Sequence, residues 1–256
     1  VYIFVVLFGG NVLTVLMILE WSVKLPGRKT ALWLVFAGVS WWFASALLVI
    51  NGYPWQIWHV VNGMTVLFVT LSVGFWLAGE IEKSGHLLPV CILGTLVDIW
   101  SVFMGPSKRV GQQAVEHIEK AQEAVQAGLQ APPPPLINFL IVHWPLPGGN
   151  MMAPVFGMGD FVFIALLIAS SRRFGLSLFR NVLLILCGMF LSLVTVWWVN
   201  RPIPALPFIC GIFLLGNFHQ LSMTRKEWQL TGIVALAVIL VSLFNWLGGI
   251  TGDSGG

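Results

Sequence analysis

Long apolar runs dominate this chain, and short polar loops separate them. A helix that spans a membrane needs about 20 mainly apolar residues. Eight segments have this character: residues 2–19, 30–50, 56–79, 86–105, 154–171, 176–199, 203–223 and 229–250. The pattern therefore predicts an all-α fold, a polytopic transmembrane helix bundle of about eight spans.

The one long connection between these segments covers residues 106–153. Its first part, 108–130, places apolar residues at helical spacing and predicts an amphipathic helix on the membrane surface or over the bundle. Four prolines at 132–135 favour a stiff extended stretch. The next residues, 136–142, are apolar but too few to span. They predict a short strand or a re-entrant piece before the fifth segment.

Composition agrees with a membrane protein. The chain is 57% hydrophobic and only 9% charged, whereas soluble domains carry about 25% charged residues. The net charge of +3 is small, and the basic residues lie in loops, so the lipid bilayer is the expected surrounding and no nucleic-acid partner is indicated. The chain begins at Val1 without an initiator methionine, and we expect it to be a fragment or a processed chain.

The basic residues also predict an orientation. Loops after the first, third, fifth and seventh segments hold nine of the thirteen lysines and arginines. Cytoplasmic loops of membrane proteins are enriched in these residues. We therefore expect an integral, multi-pass membrane protein whose 106–153 connection lies on the non-cytoplasmic side.

Three cysteines, Cys91, Cys187 and Cys210, lie in separate apolar segments and form no CxxC pair. They are expected to be small packing residues. The histidines lack the spacing of metal ligands, so the sequence indicates no metal and no organic cofactor.

Two of the ten acidic residues, Asp98 and Asp160, lie deep inside predicted segments. A carboxylate at membrane depth costs roughly 2.5–3.5 kcal/mol, so such residues usually have a function. Counted from Pro106 and Pro154 along ideal helices, they lie about 12 and about 9 Å below the same face. Antiparallel neighbours would bring them to one level, where two carboxyl groups that share a proton can activate a water.

A third motif is expected at the same face. Pro204-Ala205-Leu206-Pro207 opens the seventh segment, and its prolines interrupt helical hydrogen bonding. Backbone groups freed in this way survive at membrane depth where they are buried or line a wet cavity. Gly157 and Gly159 permit close approach of a helix or a substrate backbone beside Asp160.

These motifs resemble the signatures of one family. Gly157-Met158-Gly159-Asp160 resembles the GxGD signature of presenilins and signal peptide peptidases, Val97-Asp98 resembles their YD motif, and Pro204-Ala205-Leu206-Pro207 resembles their PAL motif. All three occur in the family's order, across about residues 86–223. Val97 stands where the family usually has tyrosine. The family typically has nine spans, with five before the first-aspartate helix, whereas three are predicted here.

The resemblance implies an aspartyl protease that hydrolyses peptide bonds within transmembrane segments, with Asp98 and Asp160 as the catalytic pair. Gly157, Met158 and Gly159, together with Pro204-Ala205-Leu206-Pro207, would shape the site and position the substrate. Transmembrane helices of other proteins would be the substrates, preferably those with cytoplasmic N-termini. The stretch 136–142 would offer a strand edge to an unwound substrate.

The corresponding domain division is 1–85 for N-terminal transmembrane helices expected to be truncated at the start, 86–223 for a catalytic core that includes the 106–153 loop, and 224–256 for an additional C-terminal helix. Two alternatives remain open. A proton-coupled transporter also uses intramembrane carboxylates as a relay. A prepilin-peptidase-like enzyme also carries a GxGD aspartate, although members of that family usually have a lysine-containing stretch after it and many have CxxC pairs.

Overall fold

The computed structural model describes residues 55–103, 141–145, 152–199, 203–221, 223–229 and 231–237, with isolated positions at 36, 39, 40, 43, 105, 116, 120, 123, 127 and 240. This part of the chain is mostly helical. It contains the helices α1 (Trp55–Glu80), α2 (Leu87–Phe103), α3 (Met158–Arg173), α4 (Leu178–Val199) and α5 (Leu206–Asn217), and the strands β1 (Ile141–Pro145) and β2 (Met152–Gly157). Short 3₁₀ turns, Ser84–His86 and Phe218–Gln220, precede α2 and follow α5.

Two of the described helices are long and apolar enough to cross a membrane. They are the 20 residues Ser84–Phe103, which include α2, and the 22 residues of α4. At a rise of 1.5 Å per residue, α4 is about 33 Å long, which matches the hydrocarbon thickness of about 30 Å. The first predicted segment lies outside the described residues, and the second is represented only by helical positions at 36, 39, 40 and 43. The count of eight spans stays a prediction.

The long connection is described only in part. Positions 116, 120 and 123 are helical and 127 is in a turn, while the remainder of the predicted amphipathic helix 108–130 lies outside the described residues. Of the stretch 136–142, predicted as a short strand or a re-entrant piece, the structure describes Ile141 and Val142, which begin β1, and residues 136–140 lie outside the described part. β1 pairs antiparallel with β2, from Ile141 opposite Gly157 to Pro145 opposite Met152, with an irregularity after Val142.

One sequence prediction is wrong at this point. The fifth segment was expected to be helical from Pro154, but Pro154 lies within β2 and the helix α3 begins at Met158. Proline lacks a backbone N–H, so it fits the irregular edge of a two-stranded sheet as readily as a helix start. The apolar run 154–171 is therefore part strand and part helix.

The chain divides into two compact units. The first comprises Val1–Glu80 and Val110–Val182, and the second comprises Ile81–Arg109 and Leu183–Gly256. The boundary passes through α4, so its first residues belong to the first unit and the remainder to the second. The predicted three-part domain division stays a prediction.

In the first unit, α1 and α3 run parallel and share an apolar core. Gly74 marks their closest approach, because a Cβ at this position would lie 2.5 Å from the Val162 carbonyl oxygen and 2.6 Å from the Ala165 Cβ. Further along both helices, Arg173 Nη1 donates to the carbonyl oxygens of Ala78 and Gly79 at 2.8 and 2.6 Å. A side chain of α3 thus satisfies carbonyl groups that the end of α1 leaves without helical partners.

Helix α3 ends in a Schellman motif. Gly175 has φ of +66°, a left-handed conformation that glycine adopts without steric cost. Its N–H donates to the Arg172 carbonyl at 3.3 Å, and the Leu176 N–H donates to the Ser171 carbonyl at 2.8 Å. These are the two bonds that define the motif, and they turn the chain sharply toward α4.

In the second unit, α5 contacts both α2 and α4. Gly188 of α4 lies against the first turn of α5, because a Cβ there would be 2.7 Å from the Ile209 Cα and 2.9 Å from the Phe208 carbonyl oxygen. Gly216 of α5 meets the Leu184 side chain of α4. Earlier residues of one helix therefore contact later residues of the other, so α4 and α5 are antiparallel.

A polar cluster closes one end of the second unit. Glu227 forms an ion pair with Lys83 at 3.7 Å, and its carboxylate lies 3.5 Å from His86 Nε2. It also forms a reciprocal capping box with Thr224, whose N–H donates to the carboxylate at 2.7 Å while its hydroxyl accepts from the Glu227 N–H at 3.3 Å. The cluster joins the start of α2 to the helical residues that begin at 225.

This cap predicts a pH dependence. The Thr224 backbone N–H holds the pKa of the Glu227 carboxyl below its usual value, so the ionised form stabilises the fold above the ordinary glutamate pKa. That contribution is lost as the pH falls through the lowered pKa. We expect Glu227→Gln to speed hydrogen exchange of the Thr224 amide at pH 7 and to have little effect in acid. An equal effect at both pH values would contradict a role for the charge.

Candidate active site

Asp98 lies in the last third of α2 and is partly exposed. Its Oδ2 accepts a hydrogen bond from the backbone N–H of Leu206 at 3.0 Å, across 108 positions of sequence. Two motifs that the sequence analysis singled out separately are therefore in direct contact.

The local sequence explains why the start of α5 accepts this carboxylate. Ala205, the N-cap residue, has no side-chain hydrogen bond to the helix. Pro207 has no N–H, and the Phe208 N–H turns back to the Ala205 carbonyl at 3.1 Å. The Leu206 N–H is thus the donor of the first turn that needs an outside acceptor, and Asp98 supplies it. A carboxylate is also favoured at the positive end of the helix dipole.

Pro204, Ala205 and Leu206 are buried, and Pro207 is partly exposed. The small side chain at position 205 leaves room for a carboxylate beside the helix start. The PAL-like motif therefore has a physical role in the fold, which is to present one backbone N–H to Asp98.

Asp160 occupies the third position of α3. Its Oδ2 accepts from the backbone N–H of Gly157 at 3.1 Å. This is one half of a capping box, since Gly157 is the N-cap residue and has no side chain to return the bond. Like Asp98, Asp160 places a carboxylate at the N-terminus of a helix, but here the helix is its own.

Space is open beside the GxGD-like motif. A Cβ on Gly159 would meet no atom within 4 Å, and one on Gly157 would meet only the Asp160 carboxylate, at 3.7 Å, among atoms of the described residues. Met158, between them, is partly exposed. The predicted role of the two glycines, to permit close approach beside Asp160, is compatible with this geometry.

The depth estimate for Asp160 needs correction. It assumed a helix from Pro154, whereas α3 begins at Met158 and Asp160 is in its first turn. Asp160 lies two residues, or about 3 Å, beyond the first residue of α3. The depth of about 9 Å, which was counted along a helix from Pro154, therefore does not hold. Asp98 belongs to the second compact unit and Asp160 to the first, so their pairing stays a prediction.

Sequence reasoning missed two structural residues near these sites. Gly188 sets the position of the first turn of α5, and its signal is a small residue inside a long apolar helix. Arg173 was counted only as a basic loop residue, yet it caps α1. Such contacts have no local pattern in the sequence.

No family model matches the chain, and neither a curated protein nor a solved structure matches it. The resemblance to presenilins and signal peptide peptidases therefore depends on the three motifs.

Proposed function

We propose that the protein is an intramembrane-cleaving aspartyl protease that hydrolyses peptide bonds within transmembrane segments of other membrane proteins. Asp98 and Asp160 are the proposed catalytic pair. The observation that carries the proposal is the 3.0 Å hydrogen bond between the Leu206 N–H and Asp98. It joins the residues of two motifs that a protease of this family would need at one site.

The proposed chemistry uses the two carboxyl groups as a unit. One, ionised, takes a proton from water, and the other, protonated, donates a hydrogen bond to the scissile carbonyl oxygen. Because such a pair shares its protons, neither role is assigned to one residue. The N–H groups of Leu206 and Gly157 hold the carboxyl groups at helix starts, which fixes their orientation for the reaction.

The proposed membrane topology has about eight spans, with the 106–153 connection on the non-cytoplasmic side. Helix directions within each unit support it. Spans three and five should be parallel, as α1 and α3 are. Spans four and six should each be antiparallel to span seven. Asp98 meets Leu206 while Ser84, before α2, donates to the Gln220 carbonyl, after α5, so α2 and α5 are antiparallel. The contacts of α4 with α5 have the same sense.

Exposed aromatic residues support the same topology. Trp197 and Trp198, at the end of α4, are 77% and 83% exposed. Tryptophan is enriched where spanning helices leave the hydrocarbon layer. Because α4 and α5 are antiparallel, the contact of Gly188 with Ile209 places Leu206 level with about residue 191 of α4. The Asp98–Leu206 contact is therefore about 10 Å from these tryptophans along α4, on the side of the hydrocarbon layer.

The two-stranded sheet supplies a proposed substrate platform. β2 leads directly into α3, so its last residue, Gly157, is bonded to Asp160. Each strand pairs on one side only among the described residues. An unwound substrate segment that paired with a free edge would be held by main-chain hydrogen bonds beside the catalytic carboxyl group.

The test is cleavage of a transmembrane reporter peptide by the full chain in liposomes, in both reporter orientations. We expect cleavage inside the apolar segment, with preference for reporters whose N-terminus is on the side of the predicted cytoplasmic loops. Mass spectrometry of the products gives the cut position. Intact folded protein that cuts neither orientation, together with proton-coupled flux across the liposomes, would replace this proposal with the transporter.

A further inference from the structure

The connection between α3 and α4, residues 171–181, forms a fixed corner in the first unit. Asn181 Nδ2 donates to Ser171 Oγ at 2.8 Å, and the Ser171 hydroxyl donates in turn to the Leu167 carbonyl oxygen at 2.6 Å. Both polar side chains are 0% exposed. Together with the left-handed turn at Gly175, this buried chain of hydrogen bonds holds the end of α3 against the start of α4.

Three arginines surround the buried contact. Arg172 directly follows Ser171, and Arg180 directly precedes Asn181, so the two arginines extend from neighbouring points of the same corner. Arg172 is exposed and Arg180 is partly exposed. Arg173, also exposed, is held by carbonyl groups at the end of α1. The α3–α4 corner therefore concentrates positive charge at one end of the first unit.

The opposing charge at this end is small. Glu80 is the one acidic residue within the described last turn of α1, last turn of α3 and first turn of α4. It is exposed and directly follows Gly79, whose carbonyl accepts from Arg173. Three positive charges thus meet one negative charge, and the corner attracts anions.

The position of the corner along α4 matches the level of lipid headgroups. Helix α4 is long and apolar enough to cross a membrane. Phe179, near its start, and Trp197, near its end, are each 77% exposed. They are 18 residues apart, or about 27 Å, close to the hydrocarbon thickness of about 30 Å. Exposed aromatic side chains are favoured in contact with lipid, so Phe179 marks one edge of that layer, and the arginines of the corner lie at this edge.

We propose that the α3–α4 corner binds the headgroup of an anionic phospholipid, with the phosphodiester held by Arg172 and Arg180 and an acyl chain beside Phe179. Guanidinium groups bind phosphate oxygens through paired N–H donors. A lipid rather than a free phosphate is the proposed occupant, because the exposed ring of Phe179 next to Arg180 suits a ligand with both a charged and an apolar part. The site goes beyond the proposed hydrolysis and does not depend on it.

The expected result is a preference for net negative lipid. Attraction of a basic residue to an anionic lipid surface corresponds to about a fivefold gain in affinity. Two arginines should therefore favour phosphatidylglycerol over phosphatidylcholine by about 25-fold. Both lipids carry a phosphate, but the ammonium group of phosphatidylcholine cancels its charge.

The experiment uses the full chain, purified in detergent and stripped of bound lipid. Native mass spectrometry counts the lipids bound to each chain during titration with phosphatidylglycerol or with phosphatidylcholine. Tighter binding of the first phosphatidylglycerol is expected, and equal affinity for the two lipids would overturn the proposal. Sodium phosphate should displace no more phosphatidylglycerol than sodium chloride of the same ionic strength. Greater displacement by phosphate would mean that the corner binds a free anion, not a lipid.

Variants locate the binding. Arg172→Gln and Arg180→Gln should each lower the affinity for phosphatidylglycerol about fivefold and leave that for phosphatidylcholine unchanged. Since Arg172 is exposed, its variant supplies the decisive readout if Arg180→Gln fails to fold, and an unaltered affinity of Arg172→Gln would refute the site. Arg225→Gln is the matched control, because it removes an exposed arginine of the second unit. It should bind phosphatidylglycerol normally.

An equal loss in all three variants would indicate a general effect of protein charge and would also overturn the site. Lipid binding is measured without any cleavage reporter, and the variants leave Asp98 and Asp160 in place. A failure of this proposal is therefore distinct from a failure of the proposed protease.

Discussion

Asp98→Asn and Asp160→Asn are each expected to lower the rate of reporter cleavage by at least about a thousandfold, because proton transfer by a positioned side chain is lost. Asparagine retains an oxygen that accepts from the Leu206 N–H or the Gly157 N–H. The helix starts should therefore keep their partners. Circular dichroism and thermal unfolding of each variant should match the unaltered protein while activity disappears.

The alanine variants separate structure from chemistry. Asp98→Ala removes the acceptor for Leu206 as well as the acid. Removal of a side-chain cap typically costs about 0.5–2 kcal/mol, so this variant should be less stable than Asp98→Asn while equally inactive. Equal stability of the two variants would mean that the contact with Leu206 contributes little to the fold.

Glu227→Gln is the matched control for both aspartates. Glu227 also accepts a backbone N–H at the start of a helix, from Thr224 at 2.7 Å, but it is outside the proposed site. Its amide variant should cleave the reporter at nearly the normal rate. Persistent cleavage by either aspartate variant would rule out the proposed pair, and loss of activity in all three would indicate a general effect of removing helix-start charges.

The contact between Asp98 and Leu206 illustrates how far sequence reasoning reaches. Motif order placed both residues at one face of the bundle, because alternating spans bring the end of the fourth and the start of the seventh to the same side. The particular donor was not predictable. It follows from the conformation at Ala205 and the missing N–H of Pro207, which leave Leu206 as the donor that needs an outside acceptor.

The start of α3 shows where the same reasoning failed. Hydropathy alone does not distinguish a buried strand from the first turn of a helix, so residues 154–157 were predicted as helix although they complete β2. The pairing of β2 with β1 is a non-local contact and has no signature within either segment.

Gly188→Ala is expected to destabilise the second unit by about 1–3 kcal/mol through overpacking. The added Cβ would lie 2.7 Å from the Ile209 Cα and 2.9 Å from the Phe208 carbonyl oxygen. Both are backbone atoms, so no side-chain rotation relieves the contact, and the first turn of α5 must move. Thermal unfolding in detergent measures the loss of stability, and hydrogen exchange at Leu206 reports whether the bond to Asp98 is weakened.

Gly211→Ala is the control that isolates the steric effect. Both substitutions replace a glycine inside an apolar helix with alanine, which raises intrinsic helix propensity by about 1 kcal/mol in each case. A Cβ at Gly211 meets no atom within 4 Å among the described residues, so this variant should be as stable as the unaltered chain or more stable. If Gly188→Ala and Gly211→Ala behaved alike, α4 would not hold the start of α5 in place. If only Gly188→Ala loosens Leu206, the position of the proposed Asp98 site depends on contact between α4 and α5 as well as on its own hydrogen bond.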